Sequence, residues 1–139
     1  MYFAAPMNVS ELKGVTMSAN CDITNIVTNS TPYTFSLLTD SLSSGNWIVS
    51  PQPIPATSGA AVAFHAQGVS GTATGAVGQV VYSVMSAGNS VGTLTLNFSD
   101  PYSGDNSCSA SSTVPNLSAS NDCPAHGSTF SVNWGLSTN

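Results

Sequence analysis

The sequence predicts an all-β, single-domain antiparallel β-sandwich, and three observations predict it. Apolar and polar residues alternate with a period of two over residues 93–98, 129–134 and 33–37. Ser, Gly, Pro and Asn clusters break the chain every 8–15 residues or so, the rhythm of short strands joined by turns. Helical periodicity is missing outside one short stretch near the start, which leaves sheet packed on sheet as the way to bury a core.

Taken in order, residues 1–20 form an N-terminal segment and residues 21–139 the sandwich domain. Within the first segment Asn8 or Ser10 could cap a single helical turn through Glu11, Leu12 and Lys13, which Gly14 ends. Residues 23–28 are a weak strand candidate, and residues 33–37 a clear one. Residues 46–50 and 60–66 are again weaker, and Pro51, Pro53 and Pro55 between them read as a loop or an edge crossing, because proline cannot donate to a ladder. Residues 80–85 are β-branched and nearly continuous, which suits a strand covered on both faces. The turn-forming residues 86–90 follow, so residues 79–98 read as an antiparallel hairpin. Residues 107–121 are Ser-rich without a clear period and read as a long surface loop. The alternation over residues 129–134 supplies the last strand and places Trp134 in the core.

The composition narrows the function. Of 139 residues one is Lys, none is Arg and six are acidic, for a net charge of −5. Binding nucleic acid requires a row of cations to neutralise phosphates, so nucleic acid is excluded as a partner. Capture of anionic lipid by a polybasic patch is excluded for the same reason, whereas neutral or zwitterionic head groups remain open. An apolar fraction of 41% argues against a disordered chain. Ser and Thr number 38 and Asn 12, so the surface is kept wet by hydroxyls and amides and repels its own kind weakly. No apolar stretch approaches the ~18 residues of a membrane-spanning helix. Residues 1–6 lack a basic region followed by an apolar run; if the protein is secreted, the signal peptide is already gone or export takes another route.

The chemistry-bearing residues point to binding rather than catalysis. No nucleophile-elbow pattern places a Ser on a strained turn, and five of the six acids are Asp in loops or at strand ends. Asp22, Asp100 and Asp105 could ligate Ca²⁺ but read as solvated turn residues. His65 and His126 lack Cys or carboxylate partners at metal-ligand spacing apart from Cys123 three residues before His126, a weak metal signal, so neither a metal nor a cofactor is expected. Among three cysteines, Cys108 and Cys123 bracket a 14-residue loop and are the expected disulfide, with Cys21 free or buried, although spacing alone does not fix the pairing. Trp47 and Tyr102 have the amphipathic rings suited to a head group or a sugar.

Residues 73–78 (Ala-Thr-Gly-Ala-Val-Gly), Tyr82, Ser86, Gly88-Asn89 and Phe98-Ser99-Asp100-Pro101-Tyr102 resemble the central hairpin of the actinoporins. Upstream, Ser44-Gly45 and Ile48-Val49-Ser50-Pro51-Gln52-Pro53-Ile54-Pro55 resemble the same family's segments in the same order. Gly45-Asn46-Trp47-Ile48-Val49-Ser50-Pro51, Phe64, Thr74-Gly75 and residues 98–106 are similar to the aegerolysin-like proteins, including the small component of bacterial binary insecticidal toxins. The resemblance covers residues 21–106 and the final strand.

It implies a compact β-sandwich that binds lipid membranes. Ser44, Val77, Ser99 and Pro101 match positions that line the actinoporin phosphocholine pocket; Trp47 and Tyr102 join them as expected head-group contacts. Residues 107–128 contain no aromatic, so the tyrosine-rich segment of that pocket is missing, as is the long amphipathic N-terminal helix that builds the actinoporin pore. The aegerolysin type, which often perforates membranes only with a larger partner, fits better. The expected function is therefore a secreted, non-enzymatic protein that binds zwitterionic or sphingolipid membranes from outside, as a cytolytic or insecticidal toxin component. A lectin-like module and a self-assembling surface protein are the alternatives, since seven charges oppose self-association weakly.

Overall fold

The computed structural model describes residues 21–139. The helical turn expected over residues 8–13 lies outside them. Nine strands follow one another: β1 (Asp22–Asn29), β2 (Thr34–Ser44), β3 (Asn46–Val49), β4 (Ser58–Gln67), β5 (Ala76–Ser86), β6 (Asn89–Asp100), β7 (Ser107–Ser112), β8 (Leu117–Asn121) and β9 (Thr129–Thr138). They form two sheets, β3-β4-β1-β9-β8 and β2-β5-β6-β7. Their inner faces enclose a core of Ile23, Phe35, Phe64, Tyr82, Leu94, Leu96, Phe98 and Trp134, among others. This is the predicted sandwich, with Trp134 buried as expected. One ladder departs from the antiparallel expectation. β1 and β9 run parallel, Asp22 opposite Thr129 through Asn29 opposite Leu136, because the whole remainder of the domain serves as the crossover between them.

The expected hairpin is β5 and β6. Ala87 (φ 50°) and Gly88 (φ 80°) both adopt left-handed backbone, as a two-residue primed turn requires. In β5 only Ala76, Val80, Tyr82 and Val84, all on one face, are fully buried, while Val81, Ser83 and Met85 lie half-exposed on the outer face. The expectation of cover on both faces is thus corrected: nothing among the described residues packs on the outside of this sheet, and β-branched residues simply suit a pleated surface.

Two further corrections concern strands hidden by their composition. Residues 107–121 are not a loop: β7 pairs with β6, Phe98 opposite Cys108, and β8 pairs with β9. Their inward positions are Cys108, Ala110, Leu117 and Ala119, mostly too small to give a hydropathy period. Cys108 and Cys123 are joined by a disulfide, and buried Cys21 is free. The bond links the outer strand of one sheet to the residues just after the outer strand of the other.

The proline-bearing segment crosses between sheets. The Gln52 N–H donates to Ala63 O of β4, the Tyr82 hydroxyl donates to Gln52 O at 2.8 Å, and Ile54 exchanges two backbone bonds with Phe35 of β2. The prolines occupy the alternate positions that have no ladder bond to make.

Candidate functional site: an uncharged cleft at one end of the sandwich

The first contribution to the site is a row of residues across three strands. Ser44 lies opposite Val77, and Val77 opposite Ser99, so the ends of β2 and β6 and the beginning of β5 meet at one end of the sandwich. Beyond that row, Pro101 and Tyr102 leave β6 and turn over the chain entering β5. A cleft of about 380 Å³ opens there, lined by Ser44, Val77, Pro101, Tyr102 and Ser103 and by the chain entering β5 at residues 73–75.

Close backbone packing shapes the cleft. A Cβ on Gly75 would stand 2.7 Å from Asp100 O and 2.8 Å from Tyr102 N, so only glycine lets the chain before β5 lie against the chain leaving β6. Gly45 adopts φ +91°, which turns the chain from β2 into β3, and a Cβ there would meet Gly75 O at 2.9 Å.

The lining is uncharged. Ser44 and Ser103 contribute hydroxyls, Val77 and Pro101 an apolar flank, and Tyr102, 51% exposed, a phenol ring in solvent. Such a set suits a group with no net charge: a ring face attracts a cation, and hydroxyls hydrogen-bond a phosphate. Directly behind it Asp100 is fully buried, and neither of its carboxylate oxygens makes a well-formed hydrogen bond among the described residues. Burial pushes this carboxyl up to about 6, against the opposing pull of the Asp22 amide and the Cys21 thiol. Cys21 is raised in turn, by burial first and then by the Asp100 charge.

Of the six residues expected to contact a head group, Ser44, Val77, Pro101 and Tyr102 line this cleft. Ser99 stands beside Val77 but lines the neighbouring outer surface of the sheet. Trp47 lies apart. Half-buried, it packs edge-on against Phe64 (ring centroids 6.0 Å) and against Phe98, and its indole N–H donates to Asp40 Oδ1 at 3.0 Å. Thr74 and Ser103 belong to the quoted motifs without having been singled out. Asp100, read as a solvated turn residue, is instead buried; its position two residues after Phe98 in the alternation Leu94, Leu96, Phe98 is the signal that could have shown this.

The remaining titratable groups are elsewhere. His65 Nε2 lies 2.8 Å from Asp22 Oδ1, and Gln67 donates to the other oxygen of the same carboxylate. His126 and Asp105 pair at 3.3 Å on the exposed surface. Among the described residues no three His, Cys, Asp or Glu side chains are grouped to hold a metal ion.

The described residues form an all-β sandwich, and solved structures share that fold. RahU, solved in complex with a TRIS molecule, is similar over 88% of this chain and 98% of its own, with a TM-score of 0.62 and 15% identity. The lipid binding protein Nakanori is similar over 86% of this chain and 72% of its own, with a TM-score of 0.70 and 14% identity. No protein-family model matches the chain, and no curated protein matches it in sequence.

Proposed function

We propose that the protein is a non-enzymatic lipid-binding module of the aegerolysin-like kind, which takes a zwitterionic phospholipid head group into the cleft beside Tyr102. The observation that carries this reading is the convergence of Ser44, Val77, Pro101 and Tyr102, drawn from three separate parts of the chain, around one uncharged cavity. The Tyr102 ring would hold a quaternary ammonium and the Ser44 and Ser103 hydroxyls a phosphate, a pairing that a chain with one Lys can make without a basic patch. A structural neighbour whose own description is lipid binding supports it. The Cys108–Cys123 disulfide supports secretion into an oxidising compartment, with peripheral attachment to a target membrane. Action as a toxin component with a larger protein partner rests on the sequence resemblance.

Flotation with vesicles of sphingomyelin, phosphatidylcholine and sterol tests the reading. The protein is expected to float with vesicles that carry a phosphocholine head group, and Tyr102→Ala to lower the apparent binding constant for them about tenfold, a change of about 1.4 kcal/mol, without a change in thermal midpoint. Absence of binding to every vesicle, or equal binding by Tyr102→Ala, would reject the cleft as the lipid site.

A further inference from the structure

The outer face of the β2-β5-β6-β7 sheet carries a second concavity, separate from the cleft except at Val77. It has a volume of about 380 Å³, and its floor is a row of polar side chains, one from each strand: Ser41, Gln79, Asn97 and Ser109. Gln79 and Asn97 are the long members, flanked by serines whose small side chains leave the trough open. Gln79 Nε2 donates to Asn97 Oδ1 at 2.9 Å, and Asn97 Nδ2 reaches Ser109 Oγ at 3.4 Å. These bonds fix both amides and leave Gln79 Oε1 without a donor among the described residues.

No charged residue lines the trough. Asp40, the acid of β2, stands opposite Val80 in the core-facing register and is occupied by Trp47. The row therefore offers neutral donors and acceptors in alternation, with Val77 as an apolar flank at one end. An anion or cation would find no counter-charge here, and an apolar chain would strip water from amides without replacing their bonds. Adjacent hydroxyls of a sugar ring both donate and accept, as the amide and hydroxyl row does. The volume is at the small end of the range for ligand sites, which suits one or two rings.

We infer that this trough binds a neutral glycosyl group through Gln79 and Asn97, with Ser41 and Ser109 at its sides. The group could be presented by a soluble glycan or by a glycolipid on a membrane; the chemistry recognised is the same. The inference does not depend on lipid binding in the cleft. A single uncharged sugar site of this kind binds weakly, so attachment to a surface would come from several copies or from a second contact.

The experiment is an array of glucose-, galactose- and N-acetylglucosamine-terminated glycans, probed with the parent protein, Gln79→Ala/Asn97→Ala, Ser109→Glu and Tyr102→Ala. Binding to at least one neutral glycan is expected, reduced tenfold or more by the double variant and by Ser109→Glu and unchanged by Tyr102→Ala. Circular dichroism spectra matching the parent establish that the variants are folded, as expected for surface positions. Flotation with glucosylceramide vesicles, with and without free sugar at high concentration, separates the two sources: inhibition by free sugar identifies the membrane-borne form as a ligand of the same trough. No binding to any neutral glycan would overturn the inference, as would binding that the double variant leaves intact. Concentration-dependent dimerisation lost in the double variant, without glycan binding, would overturn it in favour of a second copy of the chain on this face.

Discussion

The Trp134 indole N–H donates to Asn25 Oδ1 at 2.9 Å inside the core, across 109 residues of chain. Asn25 belongs to β1 and Trp134 to β9, so this side-chain bond runs beside the parallel ladder that joins the first and last strands. It lets a polar amide occupy a core-facing position that would otherwise call for an aliphatic residue.

Removing one partner of that bond is therefore costly. Trp134→Phe leaves Asn25 Oδ1 buried without its donor and is expected to lower unfolding stability by about 2–4 kcal/mol, the sum of a lost buried hydrogen bond and lost ring volume. In a double-mutant cycle with Asn25→Leu, urea denaturation should reveal a coupling of about 1 kcal/mol. Strictly additive effects would show that the bond contributes nothing.

Asp100 makes stability depend on pH in a definite direction. Its carboxyl titrates near 6 when folded against an ordinary value of 3.8, so the folded chain holds the proton more tightly than the unfolded one. The resulting contribution is complete below about pH 4 and is lost as pH rises through 6. Asp100→Asn, which stays neutral, should match the parent near pH 4 and exceed it by up to about 3 kcal/mol near pH 7.5. Urea midpoints at the two pH values decide the matter, and an equal difference at both would contradict the assignment.

Gly75 is a position where one methyl group should disturb both stability and binding. With its Cβ 2.7 Å from Asp100 O, Gly75→Ala must push the chain after β6 away. A loss of about 1–3 kcal/mol is expected, together with weaker vesicle binding, because Pro101 and Tyr102 move with that chain. Gly88→Ala, which meets nothing within 4 Å but has φ +80°, serves as the control: it should cost about 1 kcal/mol through backbone strain alone and leave vesicle binding unchanged.

Reduction of the disulfide should loosen the edge of the sandwich without abolishing the fold. Cys108 and Cys123 are 15 residues apart, and closing a loop of that size is worth about 3 kcal/mol. The Cys108→Ser/Cys123→Ser variant should unfold at correspondingly lower urea and no longer respond to reductant. Cys21→Ser, in contrast, should keep the full response to reductant.

What the sequence made legible follows the size of the inward-facing side chains. Phe, Leu and Trp alternate openly in β6 and β9, and those strands are plain from the residues alone. β1 is fainter because Asn25 and Asn29 occupy two of its buried positions. Asn25 Oδ1 accepts from Trp134 while its Nδ2 has no partner among the described residues, and Asn29 donates to the carbonyls of Tyr33 and Pro55, contacts that no local pattern announces. β7 and β8 are hidden by Ser and Ala. At the cleft, motif positions located Ser44, Val77, Pro101 and Tyr102. Trp47 could not be placed that way, since its direction depends on Asp40, seven residues earlier on a strand of the other sheet. The outer trough escaped notice because Ser41, Gln79, Asn97 and Ser109 look like any solvated face until strand register lines them up.

The parallel pairing of β1 with β9 also sets the order in which the protein can be made. On a ribosome β1 can find β4 well before β9 has been synthesised, and until then its other edge lacks the partner it has in the folded sheet. Until β9 is made, the backbone groups of Asp22–Asn29 along that side lack their ladder partner, a template for pairing with another chain. Closure of the five-stranded sheet is a late, long-range event and should be slow relative to formation of the β5–β6 hairpin.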